Sequence, residues 1–278
     1  MKTITAANIT ATVRQMAIDA ACQLKPDILD ALLQARDLEK SDLARNVLDC
    51  LLLNADIASR EQMPVCQDTG VAVMFVQLGT GVLIDGDLES ALQEGIRQGY
   101  QEGYLRNSVC DPLTRKNTGT NTPAVIHYEL VPGNQLNLHL LPKGCGSENM
   151  SALKMLPPSA GIEGIVSFVV DSVLEAGSNP CPPGLVGIGV GGTFERAAYL
   201  AKKALLRNVG EEHHREDVAA LERRILQQIN SRGQGVHGFG GNTSMLAVHM
   251  EVFPTHIASL PVAVNIQCHA HRYATVTL

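Results

Sequence analysis

A short polar stretch, from Met63 to Gly70, constrains the fold of this chain more than any other segment. It places the thiol of Cys66, the amide of Gln67 and the carboxylate of Asp68 side by side. Helical patterns end before it, and an apolar run typical of a buried strand, residues 71–78, begins after it. Polar groups at such a junction need partners if they are buried, and loops held by a rigid scaffold often carry ligands or catalytic groups. The stretch therefore predicts a functional loop, with Cys66 as a metal ligand.

Composition and charge exclude several classes of protein. The chain has 278 residues, of which 45% are hydrophobic and 18% charged, as in an ordinary globular protein. Its net charge of −6 and the lack of a long basic run argue against a nucleic-acid partner. The N-terminal residues lead into an amphipathic pattern, which is not the apolar core of a signal peptide. No apolar stretch approaches the roughly 20 residues that span a bilayer. We therefore expect a cytoplasmic protein without a membrane partner.

Hydrophobic periodicity predicts a mixed α/β (α+β) fold. A helix-rich lead-in covers about residues 1–62, where Ile9, Val13 and Met16 recur at helical spacing. Two β-rich runs, 123–131 and 135–141, flank a Pro-Gly-Asn turn and indicate a hairpin. Further elements follow the same rules, with helices over 88–104, 162–174, 194–206 and 211–224 and strands over 185–190, 245–252, 262–266 and 273–278. Without a repeat or a long linker, we expect one domain, 1–278, with a mixed sheet surrounded by helices after the lead-in.

Six of the seven cysteines divide into two groups. An odd number without a secretory signal argues against a disulfide framework. Cys22 and Cys50 lie in helical, apolar patterns and are typical of small buried hydrophobes. The other candidates lie among glycine, proline or polar neighbours: Cys66, Cys145, Cys181 and Cys268. Their spacing matches no zinc motif, so it leaves both converging ligands and inert thiols open, although a Cys-Pro step such as Cys181-Pro182 recurs at iron–sulfur ligands.

A glycine-rich segment, Gly187 to Gly192, matches the G-x-G-x-x-G pattern of dinucleotide-binding proteins. It follows a predicted strand and precedes a helix that Thr193 can cap. The dinucleotide fingerprint also needs an acidic residue at the end of the next parallel strand. No such strand is predicted here, because the chain from Phe194 to Glu212 has the pattern of one helix with a polar tail. We favour a tight glycine turn into a helix over a nicotinamide site.

Three further groups are candidates for substrate contacts. The loop Asn117 to Thr122 can hydrogen-bond either a carboxylate or its own backbone, and the second is more common. Arg106 suits a bidentate carboxylate contact. His256 follows a proline in a loop and is a better acid–base candidate than His269 or His271, which are more typical of hydrogen-bonded structural groups.

Taken together, these segments resemble the α subunit of the class I (iron–sulfur) fumarate hydratase and L(+)-tartrate dehydratase family. The resemblance covers essentially the whole chain. It rests on Pro64–Gly70, Asn117–Asn121, Lys143–Asn149, Cys181-Pro182-Pro183, the turn at Gly191-Gly192-Thr193, and Cys268 followed by Arg272.

The resemblance implies one 4Fe-4S cluster per chain, with Cys66, Cys181 and Cys268 as its three ligands. An open fourth iron then acts as a Lewis acid on a 2-hydroxy acid, in the hydration of fumarate to L-malate or the dehydration of tartrate to oxaloacetate. The family's substrate contacts correspond to Gln67, Arg106 and Gly146. Its catalytic residues correspond to Asp68 and His256.

The chain departs from its single-chain relatives in two ways. Many fumarases of this family have glycine at the position of Cys145, so Cys145 is expected beside the site and not as a ligand. The chain also ends shortly after Arg272, which predicts a separate β subunit carrying the rest of the active site, in an α2β2-type assembly. The loops 118–121 and 143–149 favour fumarate over tartrate as the substrate. A NAD-dependent oxidoreductase and a protein with structural zinc or thiols are the alternatives from other classes.

Overall fold

The computed structural model describes residues 2–278, which form helices and mixed sheets as the sequence predicted. The helices are α1 (Ala6–Cys22), α2 (Pro26–Leu38), α3 (Asp42–Glu61), α4 (Leu88–Glu102), α5 (Cys145–Glu148), α6 (Gly161–Ala176), α7 (Phe194–Ala204) and α8 (Glu216–Arg232). The strands are β1 (Lys2–Thr5), β2 (Val71–Gly79), β3 (Val82–Asp85), β4 (Val125–Val131), β5 (Leu136–Lys143), β6 (Ala152–Leu156), β7 (Gly184–Gly191), β8 (Met245–Phe253), β9 (Leu260–Gln267) and β10 (Ala274–Thr277). Among these described residues, no helix has the length and apolar character needed to cross a membrane.

The chain divides into two compact units. The first comprises residues 1–24, 55–145 and 272–278, and the second comprises 25–54 and 146–271. Each has its own mixed sheet and its own hydrophobic core. The expectation of a single functional domain over 1–278 stays a prediction.

The first unit is built on a four-stranded sheet with the order β10-β5-β2-β4. Strand β2 is parallel to β4 and antiparallel to β5, and β10 is antiparallel to β5. Helices α1 and α4 pack together over this sheet, because Ile9, Val13 and Leu92 belong to one core with Met74 and Leu138. The helical spacing of the N-terminal apolar residues therefore marks a buried face, as predicted.

The predicted hairpin between residues 123–131 and 135–141 is wrong. Strands β4 and β5 do form, but β2 lies between them and pairs with both. The turn that joins them passes over the end of β2, where the N–H of Gly81 donates to the carbonyl of Gly133 at 2.7 Å. Strand β2, which has nine residues and is mostly buried, thus lies between β4 and β5 and prevents them from pairing directly.

The second unit has a four-stranded sheet with the order β6-β9-β7-β8. Strands β7 and β8 are parallel, whereas β9 is antiparallel to both β7 and β6. Helices α6 and α8 share a core with the apolar side chains of this sheet, including Val169, Ile188 and Ile225.

The glycine-rich segment 187–192 serves the packing of α7 on β7. A Cβ atom on Gly189 would lie 2.0 Å from the carbonyl oxygen of Ala197, and one on Gly187 would lie 2.1 Å from that of Ala201. Both glycines are therefore needed for the close approach of the helix backbone. Thr193 is the N-cap residue of α7, and its hydroxyl contacts Glu195 instead of a backbone N–H. Helix α7 is followed by α8 and not by a second strand, as expected for a tight turn into a helix.

Candidate active site

Four segments of the first unit meet at one edge of its sheet. Because β5 is antiparallel to β2 and to β10, the end of β5 lies beside the beginnings of the other two strands. Strand β4 is parallel to β2, so its beginning lies at the same edge. This register brings together the loop before β2, the segment after β5, the loop before β4 and Arg272 before β10. The predicted loop with Asp68 is thus one of four contributors.

The carboxylate of Asp68 is held by two backbone N–H groups. Gly70 donates to Oδ1 at 3.0 Å, and Cys145 donates to Oδ2 at 2.9 Å. Each oxygen of an ionised carboxylate can accept more than one hydrogen bond, so both oxygens keep an acceptor position. The side chain is half-buried, which leaves it within reach of a ligand. The sequence predicted Cys145 beside the site, and its backbone N–H makes this contact.

The backbone of the same loop is held by three side chains from distant parts of the chain. Arg272 donates from Nη2 to the carbonyl of Asp68 at 2.8 Å. The hydroxyl of Tyr100 lies 2.9 Å from the carbonyl of Thr69 and 3.1 Å from that of Gly70. Asn121 donates from Nδ2 to the same Gly70 carbonyl at 3.1 Å. Burial raises the pKa of Tyr100 well above its ordinary value, so its hydroxyl keeps its proton and can donate.

Gly70 makes the turn that brings this loop to β5. Its φ of +79° lies in the left-handed region, and a Cβ atom there would lie 2.7 Å from the backbone of Lys143. Only glycine combines this conformation with such a close approach. The turn explains why the polar stretch ends in glycine.

The predicted carboxylate-binding residue Arg106 belongs to the same unit and is exposed. Its carbonyl accepts a hydrogen bond from the hydroxyl of Thr69 at 3.0 Å, which ties its backbone to the loop that carries Asp68. Gln67 is also exposed. The guanidinium and the amide therefore both face solvent, where a small dicarboxylate can reach them.

The loop 117–122 is held mainly by its own backbone and its neighbours, which is the more common role of such loops. Asn121 is fully buried, and its Oδ1 accepts the N–H groups of Ser108 at 2.6 Å and Val109 at 3.1 Å. Asn117 and Asn107 hydrogen-bond backbone groups on each other's loops. Direct contact of this loop with a carboxylate stays the less favoured alternative.

In the second unit, Cys181 and Cys268 lie at the same edge of the sheet. Cys181 precedes β7 and Cys268 follows β9, and these strands are antiparallel with Leu185 opposite Gln267. The N–H of His269 donates to the carbonyl of Cys181 at 3.2 Å. Cys181 has a φ of +53° and an exposed side chain, whereas Cys268 is half-buried. Strand register therefore brings these two predicted ligands to neighbouring positions.

Gly146 joins this edge of the second unit. Its nearest neighbour outside its own segment is the carbonyl oxygen of Asn179, 3.8 Å from the position of a Cβ atom. The adjacent Ser147 is buried, and its hydroxyl lies 3.2 Å from Oε1 of Gln267, the residue before Cys268. The predicted substrate contact therefore lies near the segments that carry both thiols.

Two histidines lie beside these thiols, and one of them had no signal in the sequence. Nε2 of His237 is 3.2 Å from Nδ1 of His269, and the N–H of His237 donates to the carbonyl of Pro182 at 2.9 Å. His237 has a left-handed backbone with φ of +50°, and burial lowers its pKa. A histidine between a valine and a glycine gives no sequence pattern that would indicate this pairing.

The structure does not bring His256 to Cys181 and Cys268. It lies in the loop between β8 and β9, at the opposite edge of the second unit's sheet. The eight residues of β9 extend over about 25 Å between this loop and Cys268. Nδ1 of His256 accepts the N–H of Ala258 at 3.1 Å, and the side chain is exposed.

The thiols of Cys66, Cys181 and Cys268 have the chemistry that an iron–sulfur cluster needs. All three are partly or fully exposed in loops, although cysteine is usually among the most buried residues. Cys22 shows the contrast, since it is buried in the core and burial raises its pKa. Among residues 2–278, no group of three or more His, Cys, Asp or Glu side chains is placed to hold a single metal ion. Cys66 belongs to the first unit and the other two to the second, so their joint ligation stays a prediction.

Comparison with known proteins identifies the family of this chain. Residues 10–277 match the family model described as fumarate hydratase (Fumerase). A protein of Methanocaldococcus jannaschii, provisionally named L(+)-tartrate dehydratase subunit alpha, is 43% identical over 92% of each chain. The L(+)-tartrate dehydratase subunit alpha of Escherichia coli K12 is 33% identical over 91% of this chain and 85% of its own length.

Proposed function

Because the chain belongs to the fumarate hydratase (Fumerase) family, we propose that it is the α subunit of a hydro-lyase that reversibly hydrates fumarate to L-malate. The enzyme class, a carbon–oxygen hydro-lyase, follows from the family. One observation supports the assignment most directly, namely the half-buried Asp68 carboxylate that two backbone N–H groups hold two residues after Cys66. A carboxylate fixed in this way can bind the water or hydroxyl group that the reaction adds or removes.

The proposed cofactor is one 4Fe-4S cluster per chain, with Cys66, Cys181 and Cys268 as its ligands. When bound with one iron open, such a cluster supplies a Lewis acid for the hydroxyl group of a 2-hydroxy acid. Partly exposed thiols in loops support this assignment. Gly146 and Ser147, near the segments that carry two of the thiols, allow a backbone N–H to serve the substrate there.

The roles of the remaining residues follow from their exposure and charge. The exposed guanidinium of Arg106 pairs with one carboxylate of the substrate, and the amide of Gln67 hydrogen-bonds the same molecule. Asp68 accepts a hydrogen bond from the hydroxyl group or water through the free acceptor position on one of its oxygens. His256 stays a proposed acid–base residue from the family resemblance, although the sheet holds it far from Cys181 and Cys268.

L(+)-tartrate is the second candidate substrate. The relatives from M. jannaschii and E. coli are both named as L(+)-tartrate dehydratase subunits, whereas the matching family model is described as fumarate hydratase. The two 2-hydroxy acids, malate and tartrate, differ by one hydroxyl group. A few hydrogen-bonding groups are enough to discriminate between them.

The relatives from M. jannaschii and E. coli are named as alpha subunits, which supports a separate partner subunit. We propose a β subunit that carries the proton-abstracting group and further substrate contacts, in an α2β2-type assembly in the cytoplasm. The other partner that we propose is the small dicarboxylate substrate, and the net charge of −6 argues against a nucleic acid.

The experiment that tests this function is anaerobic co-expression with the adjacent reading frame, followed by assays with malate, fumarate and L(+)-tartrate. We expect a brown complex whose broad visible absorbance bleaches in air. Asp68→Ala should lower kcat at least about 100-fold and leave iron content and absorbance unchanged, whereas the exposed Asp30→Ala serves as the matched control.

Three outcomes would contradict the proposal. Unchanged turnover in the Asp68→Ala variant would exclude Asp68 from the reaction. A colourless protein that binds NAD would favour an oxidoreductase, and one that holds only zinc would favour a structural role for the thiols. Preference for L(+)-tartrate over malate would establish the second candidate substrate.

A further inference from the structure

Arg272 is a buried cation with spare hydrogen-bond donors. Its exposed fraction is 1%, and by volume it is the largest of the fully buried side chains among the described residues. Nη2 donates to the carbonyl of Asp68, whereas Nε and Nη1 have no hydrogen-bond partner within residues 2–278. Burying a guanidinium in this way costs free energy that an apolar side chain of similar size would not. Core packing alone therefore does not explain an arginine at this position.

The hydrogen bond from Nη2 of Arg272 goes to the peptide of the proposed catalytic carboxylate. A Cβ atom on Gly144 would lie 3.3 Å from Oδ2 of Asp68 and 3.9 Å from Nη2 of Arg272, so both side chains lie against the same glycine. The next residue, Cys145, donates its N–H to Oδ2 of Asp68. Arg272 thus lies behind the segment that orients the carboxylate.

Each carbonyl of the loop from Asp68 to Gly70 has a side-chain donor nearby, and Arg272 is the charged one. The hydroxyl of Tyr100 lies within hydrogen-bond distance of the carbonyls of Thr69 and Gly70, and the amide of Asn121 also donates to the Gly70 carbonyl. Donors from an ionised group make stronger hydrogen bonds than neutral ones. The carbonyl with the charged donor is that of Asp68 itself, which indicates that this peptide has to be held most firmly.

We propose that Arg272 is a positioning residue for the reaction. It fixes the Asp68 peptide through its carbonyl, so that the Gly70 and Cys145 N–H groups can hold the carboxylate in its working orientation. It acts through Asp68 and does not touch the substrate, since its side chain is buried. This inference rests on the proposed function of Asp68.

The test compares Arg272→Gln, Arg272→Met and Arg272→Lys in the anaerobically purified αβ complex. The matched control is Arg223→Gln, which removes an exposed, ion-paired arginine. Four quantities are measured: kcat, KM, iron per chain, and amide hydrogen exchange of the segments that contain Gly70 and Cys145. For Gln and Met we expect kcat to fall about 100-fold, because a displacement of about 1 Å has an effect of this size. KM and iron content should stay within about twofold of the wild type, and the amides of Gly70 and Cys145 should exchange faster.

The lysine and methionine variants separate positioning from packing. Lysine retains the charge and one donor for the Asp68 carbonyl, so Arg272→Lys should recover most of kcat and most of the exchange protection. Arg272→Met fills the space without a donor, so its thermal midpoint should match or exceed that of the wild type while kcat falls. If Gln and Met do not fold, the lysine variant and Tyr100→Phe carry the test. Tyr100→Phe removes the donor of the next two carbonyls and should give the same exchange signature with a smaller loss of kcat.

Several results would overturn the inference. They are unchanged kcat and exchange in the glutamine and methionine variants, iron loss in proportion to activity, and wild-type exchange combined with low kcat in the lysine variant. A wild-type complex that turns over none of the three acids would instead refute the proposed function. In that case hydrogen exchange still determines whether Arg272 holds the Asp68 loop.

Discussion

The Asp68 loop and the two segments that carry Cys181 and Cys268 are fixed by different means. In the second unit, the thiols follow from strand register, since β7 begins where β9 ends and a backbone hydrogen bond joins His269 to Cys181. In the first unit, the strands bring the loop only to the right edge of the sheet. Its final position depends on side chains, chiefly those of Arg272, Tyr100 and Asn121. Ligand placement by backbone register should tolerate side-chain changes, whereas placement by side chains should tolerate few.

The largest loss of stability is expected where the pairing of β7 with β9 is broken. A Cβ atom on Gly184 would lie 2.0 Å from the carbonyl oxygen of Gln267, so Gly184→Ala forces β7 and β9 apart beside both thiols. We expect a loss of about 3 kcal/mol or more in the free energy of unfolding, together with a loss of iron. Denaturant unfolding and iron analysis measure both. The control is Gly210→Ala, since Gly210 has open space around it and a φ of +90°, and it should lose only about 1 kcal/mol. Equal losses in the two variants would refute the role of strand register.

A smaller effect is expected from pH in the second unit. His249 on β8 is buried, and burial, with a further contribution from Arg207, lowers its pKa to about 4. The unfolded chain binds a proton near pH 6.5 and the folded chain does not, so stability is full above about pH 6.5 and falls as the pH approaches 4. The loss is at most about 3 kcal/mol.

Unfolding in urea between pH 7 and pH 4 measures this dependence. His249→Gln should flatten the curve, and the exposed His214→Gln should leave it unchanged. If the wild type keeps its full stability down to pH 4, His249 is protonated without penalty and the prediction is wrong.

The smallest effect concerns the Asp68 loop. Gly144→Ala places a methyl group 3.3 Å from Oδ2 of Asp68, which is tight enough to move the carboxylate by a few tenths of an ångström. We expect kcat/KM to fall about 10-fold and the free energy of unfolding to change by less than about 1 kcal/mol. Gly133→Ala serves as the activity control, since Gly133 has a φ of +116° and open space where the added Cβ atom would lie. A large change in stability with unchanged kcat/KM would show that this part of the loop is structural.

Much of the fold could be predicted from local patterns. The spacing of Ile9, Val13 and Met16 predicted a helix whose face is buried, and the apolar run from Val71 predicted β2. The hairpin failed for a physical reason, because a turn signal at Gly133 describes the turn but not which strand lies between its arms.

The site was less accessible to sequence reasoning. Local context made four cysteines candidates, but the family resemblance selected Cys66, Cys181 and Cys268 as the ligands, since their spacing carries no metal motif. His256 is close to Cys268 in the sequence, but most of the residues between them form the extended strand β9. The two side chains therefore lie at opposite ends of this strand. The role of Tyr100 could not be predicted, because one buried aromatic residue on a helix is typical of a core and reveals no partner 30 positions away.

The long sequence separation between Asp68 and Arg272 has a consequence for biosynthesis. The ribosome adds this residue 204 positions after Asp68, which at ordinary elongation rates corresponds to a delay of about 10 to 40 s. During that interval the nascent chain already contains Asp68 and Cys66, but it lacks the guanidinium and the β10 strand of their unit. The loop that carries them can therefore reach its final shape only after Arg272 has been made, so we expect any metal centre at Cys66 to be loaded after that point of synthesis.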